Sequence, residues 1–195
     1  MGKLFYIMGK SSSGKDTIYK RLMEDEVLDF KNIVGYTTRP IREGETDGKE
    51  YFFVTTETME EMFQSGKVIE HRAYNTVHGV WNYFTADDGQ MDFESSDYLL
   101  IGTLESYENI RKYYGDEVLV PIYVYVDDGV RLQRALSREM QQKEPKYAEL
   151  CRRFLADEAD FSKENIEKNN INKMFENNDL EECIEEIKKY ILSYR

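Results

Sequence analysis

The segment that most constrains the fold lies near the start of the sequence, where a short apolar run precedes a glycine-framed loop and a helical pattern. The apolar run is Leu4 to Met8, the loop is Gly9 to Thr17, and the helical pattern covers Ile18 to Glu26. A strand, a G-x-x-x-x-G-K loop and a helix together form a P-loop, whose backbone N–H groups and helix dipole hold phosphate oxygens. Lys15 can reach the β- and γ-phosphates of a nucleotide as a point charge. Because the strand and the helix are both present, we interpret the segment as a phosphate site rather than as an ordinary glycine-rich turn.

The residue after the P-loop lysine departs from the usual motif. That residue is normally Ser or Thr, whose hydroxyl binds Mg²⁺, whereas here it is Asp16 and the hydroxyl follows at Thr17. Asp16 fits a Mg²⁺ ligand, because Mg²⁺ prefers oxygen ligands and keeps several waters. It fits equally well an acid that the helix dipole stabilises in the first turn. The sequence leaves both roles open, and Mg²⁺ at Asp16 and Thr17 is an expectation.

The composition narrows the class of protein. The 195 residues carry 38 acidic and 26 basic side chains, a net charge of −12, which argues against nucleic acid or an anionic membrane as the main partner. Cys151 and Cys183 lie far apart without metal-ligand spacing, so we expect free thiols in a reducing compartment. No apolar stretch approaches the roughly 20 residues that span a membrane, and the N-terminal apolar run ends at the P-loop instead of forming a signal peptide. We therefore expect a cytoplasmic enzyme.

Alternating strand and helix patterns predict an α/β fold with a parallel sheet flanked by helices on both faces. Continuous apolar runs at Tyr98 to Gly102 and Val118 to Val126 are typical of buried parallel strands. Further patterns predict a short strand at Lys31 to Tyr36 and one long helical stretch from Tyr147 to Asn169. Closely spaced strands from about residue 35 to 85 break the alternation. We predict a single domain over 1–195, with a P-loop NTPase-type core at about 1–34 and 86–195 and a small mixed α/β insert at about 35–85.

A second anion site is predicted in the loop between Tyr36 and Val54. Arg39 and Arg42 are three residues apart in the sequence and can converge on one phosphate with forked hydrogen bonds, to which Tyr51 adds a phenolic donor. The alternative interpretation is a solvated charged loop with an arginine pair on its surface.

This loop carries a resemblance to the guanylate kinase family, which has a T-T-R-x-P-R-x-G-E-x-x-G-x-x-Y-x-F-V stretch after its P-loop. The matching residues, with the proline displaced to Pro40, are Thr37, Thr38, Arg39, Arg42, Gly44, Glu45, Gly48, Tyr51, Phe53 and Val54. The resemblance continues along nearly the whole chain, at Val68 to Glu70, His78 and Gly79, Arg134 and Arg138, Arg153 to Leu155 with Glu158, and Asn177 to Leu180.

The resemblance implies ATP-dependent phosphoryl transfer to a nucleoside monophosphate, with GMP and ATP giving GDP and ADP in the presence of Mg²⁺. It implies that the insert binds the acceptor and that a helical lid covers about residues 138–155. The implied catalytic residues are Lys15, Arg138 and Arg153. The implied ATP-binding residues are Gly9, Lys10, Ser11, Ser12, Ser13, Gly14, Lys15, Asp16, Thr17 and Asn177. The implied GMP-binding residues are Arg39, Arg42, Tyr51, Glu70, His78 and Thr103. The same resemblance implies a role in purine nucleotide metabolism, with small nucleotides as partners. From the acidic net charge we expect no nucleic acid and no membrane as partners, and we expect a monomer or homodimer.

Some of these residues also fit interpretations that give them only a structural role. Glu70 fits an exposed strand residue paired with His71 or Arg72, and the arginines near 134–153 fit salt bridges on a helix surface.

Departures from the family pattern keep other functions open. Gly35, His78 and Val80 replace residues that contact the acceptor in the family, and Ile101 to Thr103 replaces its two strand-end acids. These changes motivate another acceptor on the same scaffold, such as ribose 1,5-bisphosphate or a different nucleoside monophosphate. A catalytically silent guanylate-kinase-like binding module is a third possibility, against which the intact P-loop lysine argues.

Overall fold

The computed structural model describes residues 1–76 and 79–195. In chain order the elements are β1 (Leu4–Met8), α1 (Lys15–Met23), β2 (Tyr36–Thr37), β3 (Phe52–Phe53), α2 (Thr56–Gln64), β4 (Val68–Thr76), β5 (Gly79–Ala86), β6 (Tyr98–Ile101), α3 (Leu104–Tyr114), β7 (Leu119–Tyr125), α4 (Asp128–Met140), α5 (Tyr147–Asp160), α6 (Lys163–Lys168), β8 (Met174–Glu176) and α7 (Leu180–Leu192).

The core is a parallel sheet built around β1. All five residues of β1 are buried, as expected for a continuous apolar run in a sheet covered on both faces. β1 pairs in parallel with β6 on one side and β7 on the other, and β8 extends the sheet beyond β7, giving the order β6-β1-β7-β8. The prediction of a parallel sheet flanked by helices is confirmed. Because β1 has later strands on both sides, its carboxyl end opens at a crevice where α/β folds bind ligands.

Helices cover both faces of this sheet through apolar stripes. On one face, α1 and α7 pack through side chains such as Ile18, Leu22 and Ile187. On the other face, α3 packs through Leu104, Tyr107 and Ile110, at the spacing of one helix face. The two apolar clusters hold β1 rigidly, and they fix the place where the loop after it begins.

A second, mixed sheet has the order β3-β2-β5-β4. β4 and β5 pair antiparallel, and a register irregularity between Val68 and Glu70 places Glu70 opposite Thr85. Such bulges re-aim side chains near functional sites. The strands of this second sheet lie within the segment from 36 to 86. The division of the chain into core, insert and lid stays a prediction.

Two predicted elements differ from the structure. The strand predicted at Lys31 to Tyr36 is reduced to one bridge at Lys31 and the start of β2 at Tyr36. The side-chain amide of Gln90 takes the place of a partner strand, because it accepts from Val34 N at 2.9 Å and donates to Val34 O at 3.1 Å. The helical stretch predicted from 147 to 169 is divided into α5 and α6, since the Ser162 hydroxyl caps a new helix by accepting from Asn165 N.

No helix among the residues that the structure describes combines the length and the apolar composition required to cross a membrane.

Candidate active site

The P-loop connects the carboxyl end of β1 to α1, as the sequence predicts. Gly9 approaches the neighbouring strand so closely that a Cβ there would lie 2.4 Å from Val124 O. Gly14 has φ of 87°, in the left-handed region, immediately before the first turn of α1. The loop conformation therefore requires glycine at both positions.

Asn177, the residue after β8, supports the P-loop through hydrogen bonds. Its side-chain amide donates to Ser13 O at 2.8 Å, and its backbone N–H donates to Tyr125 O at 2.8 Å. Asn177 is buried, and a Cβ on Gly14 would lie 2.3 Å from its Nδ2. Its contact in this structure is thus to the backbone of the P-loop.

The cationic and oxygen-bearing side chains predicted for phosphate and metal lie in the first turn of α1. Lys15 Nζ is 3.4 Å from Asp16 Oδ2, and the side chains are 20% and 84% exposed. Thr17 is exposed beside them. Lys15 is therefore partly sheltered, while Asp16 and Thr17 remain open to solvent.

A buried ionic cluster joins the P-loop to α4 and α5. Its centre is Arg131, whose side chain is 1% exposed and contacts Asp128, Asp157 and Glu158 at 2.7, 3.5 and 2.9 Å. Lys10 is the second cation, with its Nζ 2.6 Å from Glu158 and 3.3 Å from Asp128. Burial acts to raise the pKa of Asp128, but hydrogen bonds from Arg131 and Lys10 prevail and lower it.

This cluster touches the loop backbone directly. Arg131 Nη1 donates to Ser11 O at 3.0 Å, and Ser11 N donates to Asp157 Oδ2 at 2.8 Å. The guanidinium of Arg131 also lies 4.8 Å from the centroid of the Phe154 ring. These contacts hold both helices against one side of the P-loop.

The two arginines assigned to the lid by resemblance lie at the same cleft. Arg138 Nη2 donates to Ser12 Oγ at 3.1 Å. Arg153 lines a small cavity together with Arg138, Ser11 and Ser12, and its Nε is 3.8 Å from Glu149. The structure therefore brings Arg138 and Arg153 to the P-loop.

In the predicted anion loop, Arg39 is buried and Arg42 is exposed. Arg39 makes a forked ion pair with Glu45, at 2.7 and 2.6 Å, and lies 5.3 and 5.2 Å from the ring centroids of Tyr51 and Phe53. Its buried Nε has no hydrogen-bond partner within 1–76 and 79–195. Hydrogen bonds from Arg39 lower the pKa of Glu45 to about 2. Arg42 is exposed, with its guanidinium 5.8 Å from the Trp81 ring centroid.

A cavity of about 330 Å³ separates the core from the second sheet. Tyr19 of α1 and Leu100 of β6 form part of the core side, while Tyr51, Arg72 and Tyr83 form part of the opposite side. Its volume is in the range of ligand pockets, about 300–1,000 Å³. The P-loop helix and the predicted anion loop therefore face one shared space.

Glu70 and Thr103 have definite partners near this cavity. Glu70 is buried and receives hydrogen bonds from Arg72 Nε at 3.1 Å and from Thr85 Oγ1 at 2.9 Å. The Thr103 hydroxyl caps α3 by accepting from Ser106 N at 3.2 Å. The interpretation of Glu70 as an exposed residue is wrong, although its pairing with Arg72 is present.

Comparison with known proteins agrees with this geometry. A family model described as guanylate kinase matches residues 1–194. The chain belongs to the guanylate kinase family. A curated guanylate kinase of Lactiplantibacillus plantarum is 40% identical over 73 residues, an alignment that spans 37% of this chain and 35% of that relative. The crystal structure of guanylate kinase from Anaplasma phagocytophilum superposes with a TM-score of 0.64 at 20% identity, covering 98% of this chain and 85% of that one, which supports the shared fold.

The predicted resemblance to the guanylate kinase family is thus confirmed, and the names of the family and its relatives support the prediction of a kinase. The individual site roles stay predictions. His78 lies outside the described residues.

The sequence analysis did not identify Arg131, although one signal pointed to it. Arg131 precedes Arg138 by seven residues, so both lie on the same face of α4.

Proposed function

We propose that this protein transfers the γ-phosphoryl group of ATP to GMP and releases ADP and GDP. The observation that carries the proposal is the cavity between α1 and the second sheet, which Tyr19 lines from the P-loop side and Tyr51 from the anion-loop side. In such a space, two phosphate-bearing ligands can meet at their phosphates. Family membership over residues 1–194 supports the same assignment.

The donor end relies on charge placed around the moving phosphoryl group. The P-loop N–H groups and the first turn of α1 would hold the ATP phosphates, and Lys15 would bridge toward the γ-phosphate. Arg138 and Arg153, which lie at the P-loop, would oppose the charge that spreads over the phosphoryl oxygens in the transition state. Positioning and charge neutralisation account for most of the catalysis in such transfers.

The acceptor end relies on the anion loop. Arg39 and Arg42 would donate to the acceptor phosphate, with Tyr51 adding its hydroxyl. Holding the acceptor phosphate there would leave one of its oxygens free for in-line attack.

The oxygen donors at the start of α1 fit Mg²⁺ bound together with ATP. Mg²⁺ is usually held by one or two carboxylates, several waters and the substrate phosphates, and Asp16 is 84% exposed beside Thr17. Asp16 and Thr17 would hold the ion, which neutralises phosphate charge when bound.

The test is ADP release from ATP and Mg²⁺ with a panel of acceptors: GMP, dGMP, IMP, AMP and ribose 1,5-bisphosphate. We expect turnover with GMP. Arg42→Lys should raise the KM for GMP while leaving the KM for ATP unchanged, since lysine cannot reproduce a forked contact. Arg21→Lys is the matched control, because Arg21 makes a forked pair with Glu181 at the far end of α1. Turnover of the bisphosphate but not of GMP would transfer the assignment to another acceptor.

A further inference from the structure

The cavity between the core and the second sheet has one wall without charged side chains among the described residues. The charged residues that line this cavity lie on its other walls, with Lys49 and Glu50 in the predicted anion loop and Arg72 on β4. The lining residues of the core wall are Tyr19, Asn32, Ile33, Leu100 and Ile101. A ligand group that faces the core wall therefore meets neutral side chains.

Tyr19 and Asn32 supply the polar side-chain atoms of this wall. Tyr19 is partly buried, with its ring packed against the apolar cluster that holds α1, and Asn32 is exposed. The Tyr19 hydroxyl lies 3.5 Å from Asn32 Oδ1, at the outer limit of a hydrogen bond. Within residues 1–76 and 79–195, neither side chain has another hydrogen-bond partner. Since a phenol and a primary amide both donate and accept, the pair can bind a hydroxyl group.

The position of Tyr19 on α1 indicates which part of an acceptor faces this wall. Tyr19 follows Lys15 by four residues, which is about 6 Å along the helix axis. In the proposed function, the acceptor phosphate meets the γ-phosphate of ATP near Lys15. The sugar of a nucleoside 5′-monophosphate is joined to its phosphate by a single CH₂–O link, so it lies about one helical turn away, beside Tyr19.

The other walls suit the remaining parts of the acceptor. The arginines of the anion loop suit the phosphate. Arg72 and Thr85 line the cavity from the second sheet and contact Glu70, so the carboxylate that can accept from the N–H groups of guanine lies on that side. The sugar is the part that remains for the core wall, where Leu100 and Ile101 offer an apolar surface to its C–H groups.

We propose that Tyr19 and Asn32 determine the sugar specificity of the acceptor site by binding the 2′-hydroxyl, which selects ribonucleotides over deoxyribonucleotides. This inference rests on the proposed function and names the sugar that its acceptor carries. A hydroxyl has one donor and two acceptor positions, so the 2′-hydroxyl can accept from Tyr19 and donate to Asn32 Oδ1 in place of their long mutual contact. With dGMP, neither group gains a partner, and the affinity is lower.

The experiment compares GMP with dGMP in two assays on the full chain. ADP release gives kcat/KM, and calorimetry gives the dissociation constant in the absence of ATP. We expect the wild type to prefer GMP by roughly 5- to 10-fold in both assays, the worth of one hydrogen bond. Tyr19→Phe removes only the hydroxyl, and Asn32→Leu removes the amide at similar size. Each should bring the two acceptors within about twofold of each other while the KM for ATP stays unchanged.

Further variants separate sugar recognition from loss of structure. Tyr194→Phe removes a phenolic hydroxyl that lies 3.0 Å from the Tyr190 hydroxyl, near the C-terminus, and should leave the GMP-to-dGMP ratio unchanged. The double variant Tyr19→Phe/Asn32→Leu should lose no more preference than either single variant, because both residues act through one hydroxyl. The melting curve of Tyr19→Phe should match that of the wild type, since the packed ring is retained.

The possible outcomes are distinguishable. Equal affinity of the wild type for GMP and dGMP, or an unchanged GMP-to-dGMP ratio in both single variants, would overturn the inference while ADP release kept the proposed function. An equal loss of affinity for both nucleotides would place the pair against another part of the acceptor and would also overturn the inference. Selective binding without ADP release would refute the proposed function and keep the inference. Failure of the wild type to bind either nucleotide would overturn both.

Discussion

Replacing Arg131 with methionine tests the buried ionic cluster beside the P-loop. Methionine is unbranched and can occupy the space of the arginine stem, so the main change is the loss of the guanidinium. With Lys10 and Arg131 facing Asp128, Asp157 and Glu158, the cluster has two positive and three negative charges. In Arg131→Met, one ammonium remains for three carboxylates, and it contacts only Asp128 and Glu158.

The expected loss of stability follows from the burial of these groups. Breaking a buried ion pair by removing one partner costs about 3–5 kcal/mol. The guanidinium is 1% exposed, but Asp128 and Glu158 are 43% and 39% exposed, and water therefore relieves part of their repulsion. We expect the free energy of unfolding to fall by about 3 kcal/mol, at the low end of that range. For a chain of this size, this loss lowers the melting temperature by roughly 6–12 °C.

Urea unfolding followed by circular dichroism measures the loss, with Arg152→Met as the control. Arg152 forms a forked pair with Glu149 on the surface of α5, so its removal should lower the free energy of unfolding far less than Arg131→Met does. Asp128→Asn added to Arg131→Met should restore part of the stability, because it removes the surplus charge. A loss of less than about 1 kcal/mol in Arg131→Met, or no recovery in the double variant, would refute the account of the cluster as a coupled ionic unit.

The remaining predictions concern single side chains. Lys15→Ala should abolish phosphoryl transfer while circular dichroism stays unchanged; activity within about threefold of wild type would remove this cation from the mechanism. A thiol reagent at pH 8 should label the exposed Cys151 in the folded protein and spare Cys183, since burial raises the pKa of that thiol to about 11; equal labelling rates would contradict this. The pKa of Glu45 is lowered to about 2 by hydrogen bonds from Arg39, so the stability from this pair is complete above the ordinary carboxyl pKa and is lost as pH falls toward 2. Melting curves between pH 2 and 6 should therefore show a smaller acid-dependent fall in Glu45→Gln, and identical slopes would exclude the contribution.

Local patterns were sufficient to predict the elements that hold the P-loop. The buried run of β1, the two glycines of the P-loop and the amphipathic helices each carry their own signal, because strand burial and loop conformation there depend on adjacent residues. The placement of Arg138 and Arg153 at the P-loop also agrees with the resemblance.

Features formed by distant partners could not be predicted in this way. The strand expected at Lys31 to Tyr36 is interrupted because a side chain 56 residues away, Gln90, binds the backbone of Val34. Arginine is a residue typical of an exposed helix surface. The burial of Arg131 depends on α5 packing beside α4. The shielding of Glu70 likewise depends on a strand register that a single sequence does not reveal.

The hydrogen bond from Asn177 to Ser13 has a consequence for the order in which the protein matures during synthesis. Its two residues are separated by 164 positions, and β8, which directly precedes Asn177, joins the sheet at the edge of β7. Since a ribosome releases the chain from the N-terminus at about 5–20 residues per second, the P-loop emerges roughly 8–33 s before the side chain that braces it. The loop is thus made well before the side chain that completes it, and a nascent chain acquires a fully braced P-loop only after β8 has been synthesised.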